Sequence, residues 1–160
     1  MVLLKTIIFT FLVPGTATVL VPFWLLSSRP VPSPIQLGVF RYFGIFIFLV
    51  GVAIYFWCAW DFTFVGRGTP APIDPPKELV VRGLYRFVRN PMYVGVLSIL
   101  LGEGLFFESL RLLEYTAIVF AFFFLFIILY EEPILRRKFG ESYRNYCKTV
   151  PRWIPWSIRS

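Results

Sequence analysis

Two short polar tracts in an otherwise apolar chain carry the side chains that could do chemistry. The first, residues 82–95, reads RGLYRFVRNPMYVG and is basic where its surroundings are lipid-soluble. The second, residues 131–133, reads EEP and follows a strongly apolar hairpin. Because a hairpin returns the chain to the side from which it started, arginines, a helix start and two acids should meet at one membrane face. Such a place suits a small zwitterion beside a hydrophobic partner.

Asn90 and Pro91 read as the start of a helix. Asparagine can cap the free amide groups there, and proline fits the first turn, where its missing N–H costs nothing. The positive end of the helix dipole then favours an anion such as an amino-acid carboxylate. Arg89 adds a permanent cation with a forked donor. An ordinary capped span flanked by arginines is the alternative interpretation of the same residues.

Three of the acids in or directly after the apolar hairpin are candidate functional groups. Glu131 and Glu132 end a run of Phe, Ile and Leu, where an acid drawn into hydrocarbon is costly and opposes the helix dipole. We therefore expect a bound cation or a nearby arginine to compensate them, with a solvated helix end as the alternative. Glu103 is expected near water at the outer end of its helix, and a buried functional acid is the alternative there.

Composition places the chain in a membrane. Of its 160 residues, 58% are hydrophobic and 20% aromatic, above the apolar share of average soluble domains. A bilayer-spanning helix needs about 20 mostly apolar residues, and residues 6–26, 37–60, 91–107 and 112–130 approach or meet that length. We expect one all-α integral membrane domain over residues 1–160, with the first stretch retained as a span and kinked at Pro14-Gly15.

Positive charge is concentrated in the loop before the third stretch and in the C-terminal tail, and the formal net charge is +7. The positive-inside rule puts both regions, and hence both termini, in the cytoplasm. Topology explains this charge, so we expect no nucleic-acid binding. Because the chain has no histidine and no clustered cysteines or carboxylates, we predict no metal site.

The cytoplasmic segments should build the site. Residues 61–90 form a long polar loop, and long ordered loops are usually functional. After Pro133 the tail reads as an amphipathic helix that suits an anionic membrane surface. One face of this helix carries its apolar residues, Leu135, Phe139, Tyr143 and Tyr146. Residues 150–156, VPRWIPW, could fold back over the loop as a lid or anchor in the membrane interface.

The RNPMYVG of residues 89–95, an apolar span and the Glu131-Glu132 pair together resemble the RHPxYxG–hydrophobic–EE signature. Isoprenylcysteine carboxyl methyltransferases and phospholipid N-methyltransferases share that signature. The asparagine at position 90 is similar to the version of this motif in phosphatidylethanolamine N-methyltransferases. Residues 139–143, together with Val150-Pro151, look like the isoprenylcysteine branch. The resemblance covers roughly residues 66–155. It implies a membrane methyltransferase that uses S-adenosylmethionine on a lipophilic acceptor from the bilayer, with the loop and C-terminal helix forming the cofactor site.

The resemblance also implies site residues. Cofactor contacts map onto Lys77, Glu78, Leu79, Val80, Tyr85, Asn90, Pro91, Met92, Tyr93, Gly95 and Glu131. We predict that Glu131, Glu132 and Arg89 are catalytic, and a glycine pair of the phospholipid enzymes corresponds to Gly66 and Gly68. The isoprenylcysteine enzymes carry a substrate-binding arginine one helical turn before the acids, where this chain has Ile127.

Methyl transfer from a sulfonium is an in-line displacement that needs alignment and a desolvated nucleophile. A carboxylate acceptor is already ionised near pH 7, whereas an ammonium would need Glu131, Glu132 or a tyrosine as base. We therefore favour a carboxylate or thiol-derived acceptor of isoprenylcysteine type, with a phospholipid amine as the alternative. Outside the enzymes, the alternatives are a small transporter coupled through Glu103 or Glu131 and a non-catalytic scaffold or quinone-binding subunit.

Overall fold

The computed structural model describes residues 2–28, 34–64 and 79–155, and all regular elements in those ranges are helical. The first span comprises α1 (Val2–Leu12), a π-helical turn (Thr16–Leu20) and α2 (Val21–Ser27). A 3-10 turn (Gly38–Tyr42) leads into α3 (Phe43–Phe64), and another (Gly83–Arg86) precedes α4 (Pro91–Phe106). After α5 (Leu110–Phe126), a second π-helical turn (Ile127–Glu131) continues into α6 (Glu132–Thr149).

The prediction of an all-α membrane protein with four apolar helices is confirmed. Three continuous helices are long and apolar enough to cross a membrane, namely Leu3–Ser27, Gly38–Phe64 and Leu110–Thr149. The fourth, α4, has 16 residues and is about 24 Å long, less than the roughly 30 Å hydrocarbon core. It lies against α3, as expected for a helix too short to span alone.

Glycines bring the backbones of α3 and α4 into direct contact. A Cβ atom on Gly51 would lie 2.7 Å from both the carbonyl oxygen of Gly95 and the amide nitrogen of Ile99. One on Gly102 would lie 2.6 Å from the carbonyl oxygen of Gly44. Small residues permit this close approach, and Gly95 and Gly102 supply them on α4.

Prolines explain both π-helical turns. Each turn ends two residues before a proline, Pro22 or Pro133, whose ring would collide with the carbonyl four residues earlier. The wider turn avoids that collision, since the amide before each proline donates five residues back, from Val21 to Thr16 in the first case. The kink predicted at Pro14-Gly15 falls between the end of α1 at Leu12 and the π-helical turn that starts at Thr16, and it stays a prediction.

The apolar face of α6 packs against protein. Tyr143 and Tyr146 are buried in one cluster with Val150, and Leu79 and Leu135 pack around it. The expectation that this face lies on the membrane surface is therefore wrong, because it covers the central loop and the tail instead. The basic residues of α6 remain on its exposed side.

We expect Gly51→Ala to destabilise the protein, because its methyl group would be forced into the backbone of α4. Overpacking of this kind costs about 1–3 kcal/mol, which should lower the unfolding temperature in detergent, followed by tryptophan fluorescence. Ala53→Val enlarges an exposed side chain on the same helix and should leave that temperature unchanged. Wild-type stability in Gly51→Ala would contradict the close contact.

Candidate functional site

A cavity of about 630 Å³ lies between the first span, residues 79–90 and the helices from α3 to α6. This volume is in the range of small-molecule sites, about 300–1,000 Å³. The apolar walls include Phe9, Val13, Val119, Phe122, Phe123 and Phe126. The polar lining comes from the loop and the helix ends, and includes Tyr85, Arg89, Asn90, Tyr93, Glu131, Glu132, Tyr143 and Tyr146. The cavity therefore joins one polar end to a hydrocarbon-lined body.

Gly83 shapes the loop that forms one side of the polar end. Its φ of +55° is left-handed, and a Cβ there would collide with the carboxylate of Asp61, so only glycine fits. The turn that follows buries Tyr85, whose carbonyl accepts a hydrogen bond from the Tyr146 hydroxyl at 2.6 Å. Burial raises the pKa of Tyr85 well above its ordinary value, so its hydroxyl stays protonated.

The start of α4 differs from the prediction in one respect. Pro91 occupies the first turn as expected, but the side chain of Asn90 does not cap the helix. Its amide group donates instead to the carbonyl of Arg152 at 3.3 Å, and the backbone N–H of Arg89 donates to the carbonyl of Pro151 at 2.8 Å. The prediction that Asn90 caps the helix is wrong, because a distant segment of the chain competes for the same side chain.

Glu132 is buried among three arginines. Arg152 binds it with two hydrogen bonds, Nε to Oε1 at 2.7 Å and Nη2 to Oε2 at 3.1 Å. Arg89 Nη1 donates to Oε1 at 3.1 Å, and Arg136 Nη2 to Oε2 at 3.4 Å. The hydrogen bond with Glu132 raises the pKa of Arg152 above its ordinary value. The expected compensation by a nearby arginine is confirmed for this acid, and Arg89 is thereby neutralised rather than free.

Glu131, one residue earlier, has a different environment. Its Oε2 accepts a hydrogen bond from the Tyr93 hydroxyl at 2.7 Å. None of the ion pairs in residues 2–28, 34–64 and 79–155 includes it. Two adjacent acids thus face different partners, and Glu131 is the one that lines the cavity without an ion-pair partner among the described residues.

Sequence reasoning missed Arg152 and Asp61. Residues 150–155 fold back against the loop, which favours the lid over the anchor among the two roles left open for the tail. In the sequence, the one indication of Arg152 is that it is the single basic residue of the aromatic tail, residues 150–156. Asp61 is buried beneath Gly83, 3.8 Å from Arg82, and its Oδ2 has no hydrogen-bond partner among the described residues.

The structure brings most of the predicted site residues together. Those that line the cavity are Leu79, Val80, Tyr85, Arg89, Asn90, Met92, Tyr93, Glu131 and Glu132. Pro91 and Gly95 do not line it, since Pro91 is buried and Gly95 contacts α3. Lys77 and Glu78, like Gly66 and Gly68, lie outside the described residues. The catalytic and cofactor roles assigned to these residues stay predictions.

Comparison with known proteins identifies the family. A family model described as phospholipid methyltransferase matches residues 39–142. This match covers more than half of the chain, and the chain therefore belongs to that family.

Individual relatives match about half of the chain. A protein-S-isoprenylcysteine O-methyltransferase of Schizosaccharomyces pombe is 38% identical over 77 residues, which cover 48% of this chain and 33% of that protein. The nickel-cobalt-cadmium resistance protein NccN of Alcaligenes xylosoxydans xylosoxydans is 33% identical over 78 residues, 49% of this chain and 36% of that protein.

A probable protein-S-isoprenylcysteine O-methyltransferase of Oryza sativa subsp. indica is 32% identical over 84 residues, 52% of this chain and 44% of that protein. The matched region thus spans less than half the length of each of these relatives. No solved structure matches the chain.

Glu132→Gln should destabilise the protein strongly, because it leaves Arg89, whose side chain is only 11% exposed, without its counter-charge. Breaking a buried ion pair from one side costs about 3–5 kcal/mol. Arg136→Gln removes a partner that is 56% exposed and should cost less than about 1 kcal/mol. Chemical unfolding in mixed micelles measures the free energy of unfolding of both variants. Equal decreases in the two variants would contradict a larger contribution from the buried ion pair.

Proposed function

We propose that this protein transfers a methyl group from S-adenosylmethionine to a lipophilic acceptor within the membrane. The observation that carries the proposal is the convergence of Tyr93 and Glu131 with the loop at the polar end of an otherwise apolar cavity. Membership of the phospholipid methyltransferase family and the activity named for two of the relatives support methyl transfer as the reaction.

Glu131 fits the cationic part of such a donor. A carboxylate that lines an apolar cavity without an ion-pair partner favours a cation, and this donor carries a sulfonium and an ammonium group. Glu132 is less suited to that role, because Arg89 and Arg152 already occupy its oxygens. We therefore assign cation binding to Glu131. The Tyr93 hydroxyl, which donates a hydrogen bond to Glu131, orients the carboxylate of that residue.

The start of α4 fits the donor's carboxylate. The first amides of a helix have no intrahelical acceptors, and the helix dipole favours an anion beside them. Within the described residues no side chain caps this helix, since Asn90 is turned to Arg152, and the amides of Met92 and Tyr93 are therefore placed to receive a ligand. The helix start at Pro91, from which the carboxylate site was predicted, therefore still supports that site although the asparagine cap is absent.

The apolar body of the cavity fits the hydrocarbon part of an acceptor. Phe9 and Val13 of the first span face Val119, Phe122 and other aromatic residues of α5 across it. A lipid tail placed there would exclude water from the polar end, and that exclusion leaves the acceptor nucleophile desolvated.

When bound, the donor supplies a sulfonium methyl group that passes to the acceptor nucleophile, leaving a neutral thioether. The protein aligns the two reactants and keeps water out, with α6 and the tail covering the polar end. An ionised carboxylate or thiolate acceptor needs no base, and these remain the acceptors that we favour. For the alternative, a phospholipid amine, Glu131 is the group placed to take the proton.

We also infer that the polar end and both termini face the cytoplasm, where the basic residues lie. The test uses single cysteines in a Cys147→Ser background, because Cys58 is fully buried. Ser142→Cys on α6 should react with a membrane-impermeant thiol reagent in inverted vesicles only. Val39→Cys, 80% exposed at the opposite end of the bundle, should react only in intact cells, and the reverse pattern would invert the topology.

Cofactor binding is the primary test. We expect S-adenosylhomocysteine and S-adenosylmethionine to bind the detergent-purified protein in calorimetric titrations. Loss of a hydrogen bond to a charged group costs about 1.5–3 kcal/mol, so Glu131→Gln should weaken binding of the methionine form about ten- to a hundredfold. Tyr93→Phe removes only the orienting hydroxyl and should weaken binding less. Glu141→Gln, whose side chain is 67% exposed on α6, is the matched control and should bind as the wild type does.

Transfer of the labelled methyl group then identifies the acceptor. A prenylated cysteine analogue and an aminophospholipid are the two discriminating substrates, and Glu131→Gln should lose more activity with the amine, which requires a base. The absence of cofactor binding by the wild type both in detergent and in nanodiscs would overturn the enzyme proposal.

A further inference from the structure

A second cavity, of about 540 Å³, lies between the first span and α3 and reaches Glu103 of α4. Pro14 and Tyr55 line both this groove and the cavity described above, so the two spaces lie on either side of these residues. The proposed methyl transfer uses the first cavity and leaves the second without a role.

The groove offers a hydrocarbon surface, because its hydroxyl groups are already engaged. The Thr10 hydroxyl and the Tyr55 phenol share a hydrogen bond of 3.0 Å. Thr18 donates to the carbonyl of Pro14 at 2.7 Å, and Thr63 donates at 2.8 Å to a carbonyl of its own helix. The remaining walls are mostly aliphatic and aromatic side chains. This lining suits an alkyl chain.

Glu103 is the exception in this groove. Its Oε2 is buried and has no hydrogen-bond partner in the part of the chain that the structure describes. The ion pairs found there do not include it either. An acid placed among membrane helices is costly and normally has a partner. The groove therefore lacks a cationic hydrogen-bond donor at this point.

The position of Glu103 suits a lipid head group. It lies three residues before the end of α4 at Phe106, about 4.5 Å along the helix axis, so a head group at the membrane surface can reach it. From Thr18 to Thr6 the groove follows the first span for about 18 Å, comparable to the roughly 15 Å thickness of one leaflet's hydrocarbon. One lipid chain therefore fits along the groove.

We propose that this groove binds a membrane lipid with a primary ammonium head group, whose N–H donates to Glu103. A primary ammonium supplies both the counter-charge and the hydrogen-bond donor that the carboxylate lacks. A quaternary ammonium supplies charge without a donor, and an anionic head group would be repelled. The site is separate from methyl transfer, since ten residues of α4, about 15 Å, separate Glu103 from Tyr93.

Native mass spectrometry of the protein released from vesicles tests this proposal. The vesicles contain equal amounts of phosphatidylethanolamine and phosphatidylcholine with identical acyl chains. The wild type should retain the ethanolamine lipid about tenfold over the choline lipid, the size expected for one charge-assisted hydrogen bond. Glu103→Leu should reduce this preference to parity.

Glu114→Leu is the matched control, because it removes an exposed carboxylate from the same end of the hairpin, and it should keep the wild-type preference. Val52→Trp narrows the groove itself and should reduce retention of both lipids. Equal retention of the two lipids by the wild type, or an unchanged preference in Glu103→Leu, would overturn the proposal. Cofactor titration of Glu103→Leu should match the wild type, and a loss there would show that the two sites are not separate.

Discussion

The buried carboxylate of Glu132 is the interaction on which the polar end of the cavity depends. It receives Arg89 from the start of α4, Arg152 from the tail and Arg136 from its own helix. Burial strips Glu132 and Arg89 of their hydration, and only close hydrogen bonds, including the forked pair from Arg152, recover that loss. Three segments that are distant in the chain are therefore held at one point, and the loop, α6 and the tail enclose the site together.

The contrast between Glu131 and Glu132 shows how one fold gives two identical side chains different chemistry. Glu132 is turned towards arginines and serves the architecture, whereas Glu131 is turned towards Tyr93 and the cavity. Both acids lie where the π-helical turn before Pro133 passes into α6. The wider turn that accommodates this proline thus lies at the boundary between a candidate binding acid and a structural acid.

Helix length and close packing create the space in which this chemistry could occur. α4 has 16 residues, whereas α5 has 17 and its π-helical turn adds five more. Glycine contacts hold the short helix directly against α3, which leaves room for the loop and tail beneath α6. The first span then divides the remaining space, since Tyr55 and Pro14 line both the cavity with Glu131 and the groove with Glu103.

The sequence by itself determined the spans, the helix start at Pro91 and the meeting of both polar tracts at one end. These depend on local features, namely the length of apolar runs, a proline in a first turn and a hairpin that reverses direction. Tertiary structure alone decided the partners, since Arg89 binds Glu132 43 residues away and Asn90 binds the carbonyl of Arg152 62 residues away. Long polar side chains can reach several partners of similar energy, and only the packing of α6 and the tail determines which of them is within reach.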